Sequence, residues 1–230
     1  MTDASAEQSR VQNPRYLVTK AVWPPPSTSA IQSGVQLPIT TVTQADDQTM
    51  TEDDTEVELN VSIKYPSLHP LLAEDASPLK YDLKYEPSNS IPLSISHKYR
   101  TSPAQKIPTR SLEIVSKDFP WQINIISDEE VTCGDIWQAL YLALQEPIRD
   151  SEWGLMIMLE GGARRAIIVD AEKKRFEQDP LDERSPKRID FLGDKTFFGG
   201  LERDDDFSQM RHLPYSFRET ETWVVKLIGP

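Results

Sequence analysis

The chain has 230 residues, a formal net charge of −12, 38% hydrophobic residues and a single cysteine. One cysteine excludes an internal disulfide and a zinc site made of several thiolates, and the acidic balance opposes broad binding to nucleic acid. The N-terminus is polar, unlike a secretory signal, and no run of about 18 apolar residues predicts a membrane span. We therefore expect a cytoplasmic or nuclear protein with a protein partner and no membrane contact.

The chain is predicted to divide into an extension, residues 1–66, and a domain, residues 67–230. Acidic residues crowd positions 45–58, so the extension has little apolar surface to offset the entropy of ordering and is expected to be partly disordered. Residues 16–18 form a small apolar cluster that is a candidate docking segment. Residues 56–65 alternate apolar and polar side chains, which predicts an edge strand.

The first half of the domain has the patterns of β-strands. Alternation predicts a strand over residues 79–83 and a brief extended piece over residues 93–96. Residues 111–116 and 121–125 alternate in the same way and are separated by a short turn, so we predict a β-hairpin.

Two helices are expected to follow the hairpin. Thr132 and Asp135 have the spacing of a capping box in front of an apolar-periodic run, which predicts a helix over residues 132–146. A second helix is predicted over residues 151–177. The pair Gly161 and Gly162 is expected to break or kink it, because each glycine costs about 1 kcal/mol relative to alanine.

The C-terminal part returns to strand patterns at residues 188–192, 196–201 and 220–227. The elements together predict an α+β fold in which a mainly antiparallel sheet packs against two helices. A strand pair followed by a capped helix also suits a β-grasp-like arrangement.

A series of short motifs runs through the domain in a fixed order: LHPLL at 68–72, YDL at 81–83, PW at 120–121, VTxGD at 131–135, EW at 152–153, RIDFL at 188–192 and FxGL at 198–201. The series resembles a fungal family of unknown function that is abundant in mushroom-forming basidiomycetes. The resemblance covers roughly residues 68–227 and implies no established activity. Cys133 stands where that family usually has an aliphatic residue.

Three residues are candidates for chemistry. Cys133 lies in the first turn of a predicted helix, where the helix dipole can favour a thiolate, but no histidine forms a catalytic signature with it, and a buried core residue is the alternative. Asp82 and Asp190 lie in apolar strand patterns. Each either binds a substrate or cation or pairs with an arginine, and the pairing is the preferred interpretation.

Basic residues on the second helix are candidates for binding. Arg164, Arg165, Lys173 and Lys174 are predicted to face outward, either as a local patch for RNA or an acidic peptide or as a solvated face interleaved with acidic residues. Trp23 is a separate candidate for binding. It lies beside three prolines and could anchor a partner protein.

No metal-binding or nucleotide-binding motif occurs in the sequence, so no cofactor is expected. The preferred function is a non-catalytic protein-interaction or regulatory module. The alternatives are an enzyme that uses Cys133 or the strand carboxylates, and an RNA-binding protein that uses the basic helix face.

Overall fold

The computed structural model describes residues 15–19, 59–182, 184–211 and 220–230. These residues form one five-stranded sheet, five α-helices and one 3-10 helix. In chain order the elements are β1 (Arg15–Thr19), α1 (Pro87–Ser90), α2 (Leu93–Tyr99), β2 (Ser111–Ser116), β3 (Gln122–Ile126), α3 (Cys133–Gln145), α4 (Asp150–Gln178), the 3-10 helix (Arg188–Leu192), β4 (Phe197–Glu202), α5 (Asp205–Arg211) and β5 (Glu221–Ile228).

The sheet has the strand order β1-β3-β2-β5-β4. The β2–β3, β1–β3 and β4–β5 pairs are antiparallel, whereas β2 and β5 run parallel at the centre. A hairpin, a helix, and a last strand parallel to the first hairpin strand make up the connectivity of a β-grasp. The predicted α+β class with a mainly antiparallel sheet is therefore confirmed.

The core lies between the sheet and α3. Successive side chains of a strand point to opposite faces, and Leu112 and Ile114 of β2 join Ile123 of β3 in one apolar cluster with Trp137 and Leu140 of α3. All five side chains are at most 1% exposed. The helix α3 thus covers one face of the hairpin, as the period of its apolar residues predicts.

Both predicted helices form, and the first begins as expected. The Asp135 N–H donates to Thr132 Oγ1 at 3.2 Å and the Thr132 N–H donates to Asp135 Oδ2 at 2.9 Å, which is the predicted capping box. The second helix, α4, packs mainly against the 3-10 helix. It runs unbroken through Gly161 and Gly162, so the predicted break is wrong. Glu152 before the pair accepts a bond from Arg188, and Arg175 after it donates to Asp190, so both halves of the helix are held in place.

Three predicted strands have other structures. Residues 188–192 form the 3-10 helix, because all five side chains are buried and the Lys187 N–H donates to the side chain of Asp190 at 2.8 Å. Residues 93–96 belong to α2, since the preceding Pro92 suits the start of a helix. Residues 79–83 contain only an isolated bridge between Asp82 and Phe197.

The predicted edge strand over residues 56–65 is not formed in its described part, residues 59–65, and residues 56–58 lie outside the described residues. Asp75 accepts bonds from the N–H groups of Ile63 and Lys64, both at 3.0 Å, and these bonds bend the chain. Leu59 and Tyr65 nevertheless pack against the core. The two edge strands of the sheet are β1 and β4.

Candidate functional site

A cleft of about 840 Å³ lies between α4 and the body of the domain. One wall is α4, and the opposite wall contains Tyr85 and Tyr141. The 3-10 helix contributes Ile189 and Leu192, and Lys117 and the 193–195 turn line it as well. The cleft therefore exists because α4 is held at a distance from α3 and from the chain around α1.

The buried side chain of Ile168 and an arginine stacked on a phenylalanine ring fix the middle of α4. Ile168 is fully buried. The guanidinium of Arg164 lies 4.4 Å from the centroid of the Phe191 ring, and its Nη1 donates to the Phe191 carbonyl at 3.1 Å. A cation over an aromatic face gains electrostatic energy from the ring, so Arg164 ties α4 to the 3-10 helix.

An ionic network fixes the C-terminal half of α4. Arg175 donates to both carboxylate oxygens of Asp190, from Nε at 3.1 Å and from Nη2 at 2.9 Å, and from Nη1 to Asp182 at 2.6 Å. Asp182 also accepts from Lys187 Nζ at 2.5 Å. Although burial opposes the charge, the bonds to Asp190 and Asp182 raise the pKa of Arg175 above its ordinary value. This bidentate geometry sets the orientation of α4 as well as its distance.

A buried arginine, Arg188, fixes the start of α4. Arg188 Nη1 lies 2.7 Å from Glu146, just after α3, and Nη2 donates to Glu152 of α4 at 2.8 Å. Its guanidinium also lies 5.0 Å from the centroid of the Trp121 ring. Arg188 is 3% exposed and therefore joins the end of α3, the start of α4 and the core at one point.

One glycine lets α4 approach the turn at the end of the 3-10 helix. Gly193 has a φ of 60°, a conformation that L side chains rarely adopt. A Cβ at this position would lie 3.0 Å from a methyl group of Ile167. Ile167 is 42% exposed and lines the cleft, so the turn and Ile167 together form an accessible apolar part of its wall.

The lining is rich in charged and tyrosine side chains. Within the described part of the chain it contains no serine, cysteine or histidine, and its lysines and arginines are matched by aspartates and glutamates. Burial, followed by the charges of Glu86 and Asp182, raises the pKa of Tyr141, so this hydroxyl stays a neutral hydrogen-bonding group. In the described residues no cluster of histidine, cysteine or carboxylate side chains could hold a metal ion.

The predicted basic patch is divided between two faces of α4. Arg164, expected to face outward, packs on Phe191 and lines the cleft with Lys174, whereas Arg165 and Lys173 are exposed on the other side. Acidic partners one turn away accompany the lysines, with Lys174 Nζ 2.9 Å from Asp170 and Lys173 Nζ 3.8 Å from Glu177. These residues therefore do not form one continuous positive surface.

The two carboxylates that were predicted to lie in strands, Asp82 and Asp190, have structural partners. Asp190 pairs with Arg175, which agrees with the preferred interpretation, although the pair fixes α4 rather than the sheet. Asp82 accepts a bond from the Lys84 N–H at 3.1 Å and lies outside the cleft lining. Trp23 lies outside the described residues.

Cys133 is a core residue in this fold. Its side chain is fully buried, and its N–H donates to the Ser102 carbonyl at 2.9 Å. Burial raises the pKa of the thiol to about 12, which outweighs the favourable position at a helix N-terminus. At neutral pH the group is a thiol without nucleophilic character.

Sequence reasoning missed most of the cleft. Tyr85, Tyr141 and Lys187 come from segments far apart in the chain, and no periodicity brings them together. The spacing of fifteen residues between Arg175 and Asp190 likewise matches no helical or strand repeat. Two motifs gave a usable signal. EW at 152–153 and RIDFL at 188–192 place charged residues beside large apolar ones, and charges in apolar surroundings need partners elsewhere in the fold.

Residues 79–207, more than half of the chain, match the family of unknown function DUF6699. The chain belongs to this family. Every residue that lines the cleft falls inside the matched region, whereas β1 and β5 lie outside it. No curated protein and no solved structure matches the chain. Among the described residues, no helix is both long enough and apolar enough to cross a membrane.

Proposed function

We propose that this protein is a non-catalytic protein-interaction module that binds a polypeptide segment in the cleft beside α4. The observation that carries the proposal is the cleft itself. Its volume of about 840 Å³ equals that of a small-molecule site, roughly 300–1,000 Å³, which is room for the anchor side chains of a bound segment. Ionic bonds hold both the start and the C-terminal half of α4, so this wall of the cleft is formed before the partner arrives.

The lining indicates the chemistry of the partner. Tyr85 is 51% exposed and Ile167 is 42% exposed, so both offer apolar area to a ligand. Tyrosine combines such area with a hydrogen-bonding group and is enriched in interfaces. Charges of both signs surround this area, for example Lys84 and Glu86. A segment with an apolar anchor flanked by acidic and basic residues would complement it.

The two alternative functions have weaker support. An enzyme based on Cys133 would need a reactive thiolate, and the burial of this thiol opposes one. Reaction of the native protein with a thiol reagent at pH 8 should be negligible and should become complete on unfolding, whereas fast labelling of the native state would favour the enzyme. RNA binding would need a continuous positive face, and the divided basic residues and the net charge of −12 oppose it.

We also propose a cytoplasmic or nuclear location and a fungal origin. A single, buried, reduced cysteine suits a reducing compartment. The motif series between residues 68 and 201 supports the link to the mushroom-forming fungi. Regulation of a partner, rather than its chemical modification, is the role that such a module would have.

The experiment that tests the proposal is a selection from a random peptide library with the full chain as bait. Selected peptides should bind the wild type and lose at least about tenfold in affinity, or about 1.4 kcal/mol, to the variant Ile167→Arg. Val169→Arg is the matched control, because Val169 lies on the same helix, is 50% exposed and lines the opposite surface. Peptides that bind both variants equally would contradict a site in the cleft.

A further inference from the structure

We infer that the outer edge of β3 is a second interaction site, which Arg15–Thr19 occupies from within the same chain and from which an extended segment of a partner protein can displace it. This inference is independent of the cleft. Its basis is the backbone pairing at one side of the sheet, where the chain's N-terminal part adds a strand to the domain.

The pairing of β1 with β3 is regular over its whole length. Arg15 lies opposite Ile126 and Thr19 opposite Gln122, with no irregularity between them. On its other side β3 is held by β2, and β2 continues to β5. Removing β1 would therefore expose one edge of β3 without breaking the hairpin or the central parallel pair.

The direction of the backbone N–H and carbonyl groups of β3 shows which of them face β1 and which face β2. The Ser127 N–H donates to the Arg110 carbonyl at 2.9 Å, toward the β2 side. Backbone groups of successive strand residues point to opposite sides. The N–H and carbonyl groups of Gln122, Asn124 and Ile126 therefore point toward β1.

The same alternation divides the residues of β1 into two sets. Leu17 lies opposite Asn124, so its N–H and carbonyl face β3. The backbone groups of Val18 face away from the sheet and would be available to solvent or to a further strand. Such an edge recognises the main chain of an extended segment, with little dependence on its sequence.

The connection of β1 to the rest of the chain explains how the edge of β3 can be covered by β1 and still be available to a partner. Residues 20–58 connect β1 to the first described residue of the domain, Leu59. Because β1 belongs to the same chain, its local concentration at β3 exceeds that of a free competitor. A partner strand must then bind tightly or bind after β1 has been released. The N-terminal extension therefore competes with the partner for the edge of β3.

The test uses the full chain and two proline variants that differ only in the direction of the lost N–H. Leu17→Pro removes an N–H that bonds to β3, whereas Val18→Pro removes one that faces away, a position where edge strands accept proline. The probe is a fluorescent peptide with the sequence of residues 13–20. It should bind Leu17→Pro at least about tenfold more tightly than it binds the wild type or Val18→Pro.

Amide hydrogen exchange provides the second readout. In Leu17→Pro the N–H groups of Gln122, Asn124 and Ile126 should exchange faster, and the added peptide should slow them again. The N–H groups of Ile123 and Ile125, which face β2, should stay slow and show that the domain remains folded. Unchanged exchange, peptide binding that Leu17→Pro does not improve, or equal behaviour of the two variants would each overturn the inference.

Discussion

The two long helices of this protein are held in different ways. Seven residues of α3 are buried in the core, among them Trp137, Leu140 and Leu144. Of the side chains described on α4, Ile168 is buried in the core and Trp153 packs against it partly buried, and arginines and carboxylates supply the charged part of the attachment. Apolar burial ties α3 to the sheet in a non-directional way, whereas charged bonds fix α4 at a set distance and leave the cleft open.

The helix α4, whose described side chains include fewer buried apolar residues than those of α3, forms one wall of the proposed site. Elements with few buried apolar contacts open with lower free energies than the core, and binding elements are drawn from that group. We therefore expect α4 to open separately from α3, and three substitutions can break or sharpen this contrast.

The largest effect is expected in the core under α3. Trp137 is 1% exposed, and Trp137→Ala should lower the free energy of unfolding by about 3–5 kcal/mol, because a large apolar contact is lost and a cavity is left. Denaturant unfolding of the full chain measures this change. Leu142→Ala on the same helix, where the side chain is 41% exposed, should change stability by less than about 0.5 kcal/mol. Similar losses in the two variants would contradict the packing described for α3.

An intermediate effect is expected at the charged attachment of α4. Asp190→Asn should cost about 1.5–3 kcal/mol, the typical contribution of a hydrogen bond to a charged group, while Arg175 keeps its bond to Asp182. Hydrogen exchange should rise along α4 more than along α3. In a double-mutant cycle with Arg175→Met, the combined loss should be smaller than the sum of the single losses. Equal acceleration in both helices would show that α4 does not open separately.

The smallest effect is expected at the N-terminus of α3. Thr132→Ala removes the hydroxyl that accepts the Asp135 N–H and should lower the free energy of unfolding by about 1 kcal/mol. Thr132→Ser keeps this hydroxyl and serves as the control. If both variants match the wild type in thermal unfolding, the cap adds nothing to the attachment of α3.

Local signals predicted the parts of the fold that local chemistry determines. The capping box of Thr132 and Asp135, the period of α3 and the alternation of the β2–β3 hairpin all correspond to what the structure shows. The RIDFL motif predicted a strand wrongly, because five residues are too few for a period that separates a strand from a helical turn.

Other features depend on partners far along the chain. The alternation in residues 59–65 does not produce a strand, because Asp75 bonds to the backbone of Ile63 and Lys64. The cleft is assembled from α1, α3, α4, the 3-10 helix and several connecting segments, so no single segment carries its signature. Pairing with an arginine was the preferred of two interpretations of Asp190, but the partner Arg175 and the consequence for α4 emerge only in three dimensions.

The most direct test of the proposed function is the hydrogen-exchange footprint of a library-selected peptide on the full chain. We predict slower exchange in residues 84–89 and 187–195 and in the part of α4 around Ile167, because these segments line the cleft. Exchange in β5 should stay unchanged. Protection confined to the sheet, or absent from all three cleft segments while the peptide is bound, would contradict a binding site beside α4.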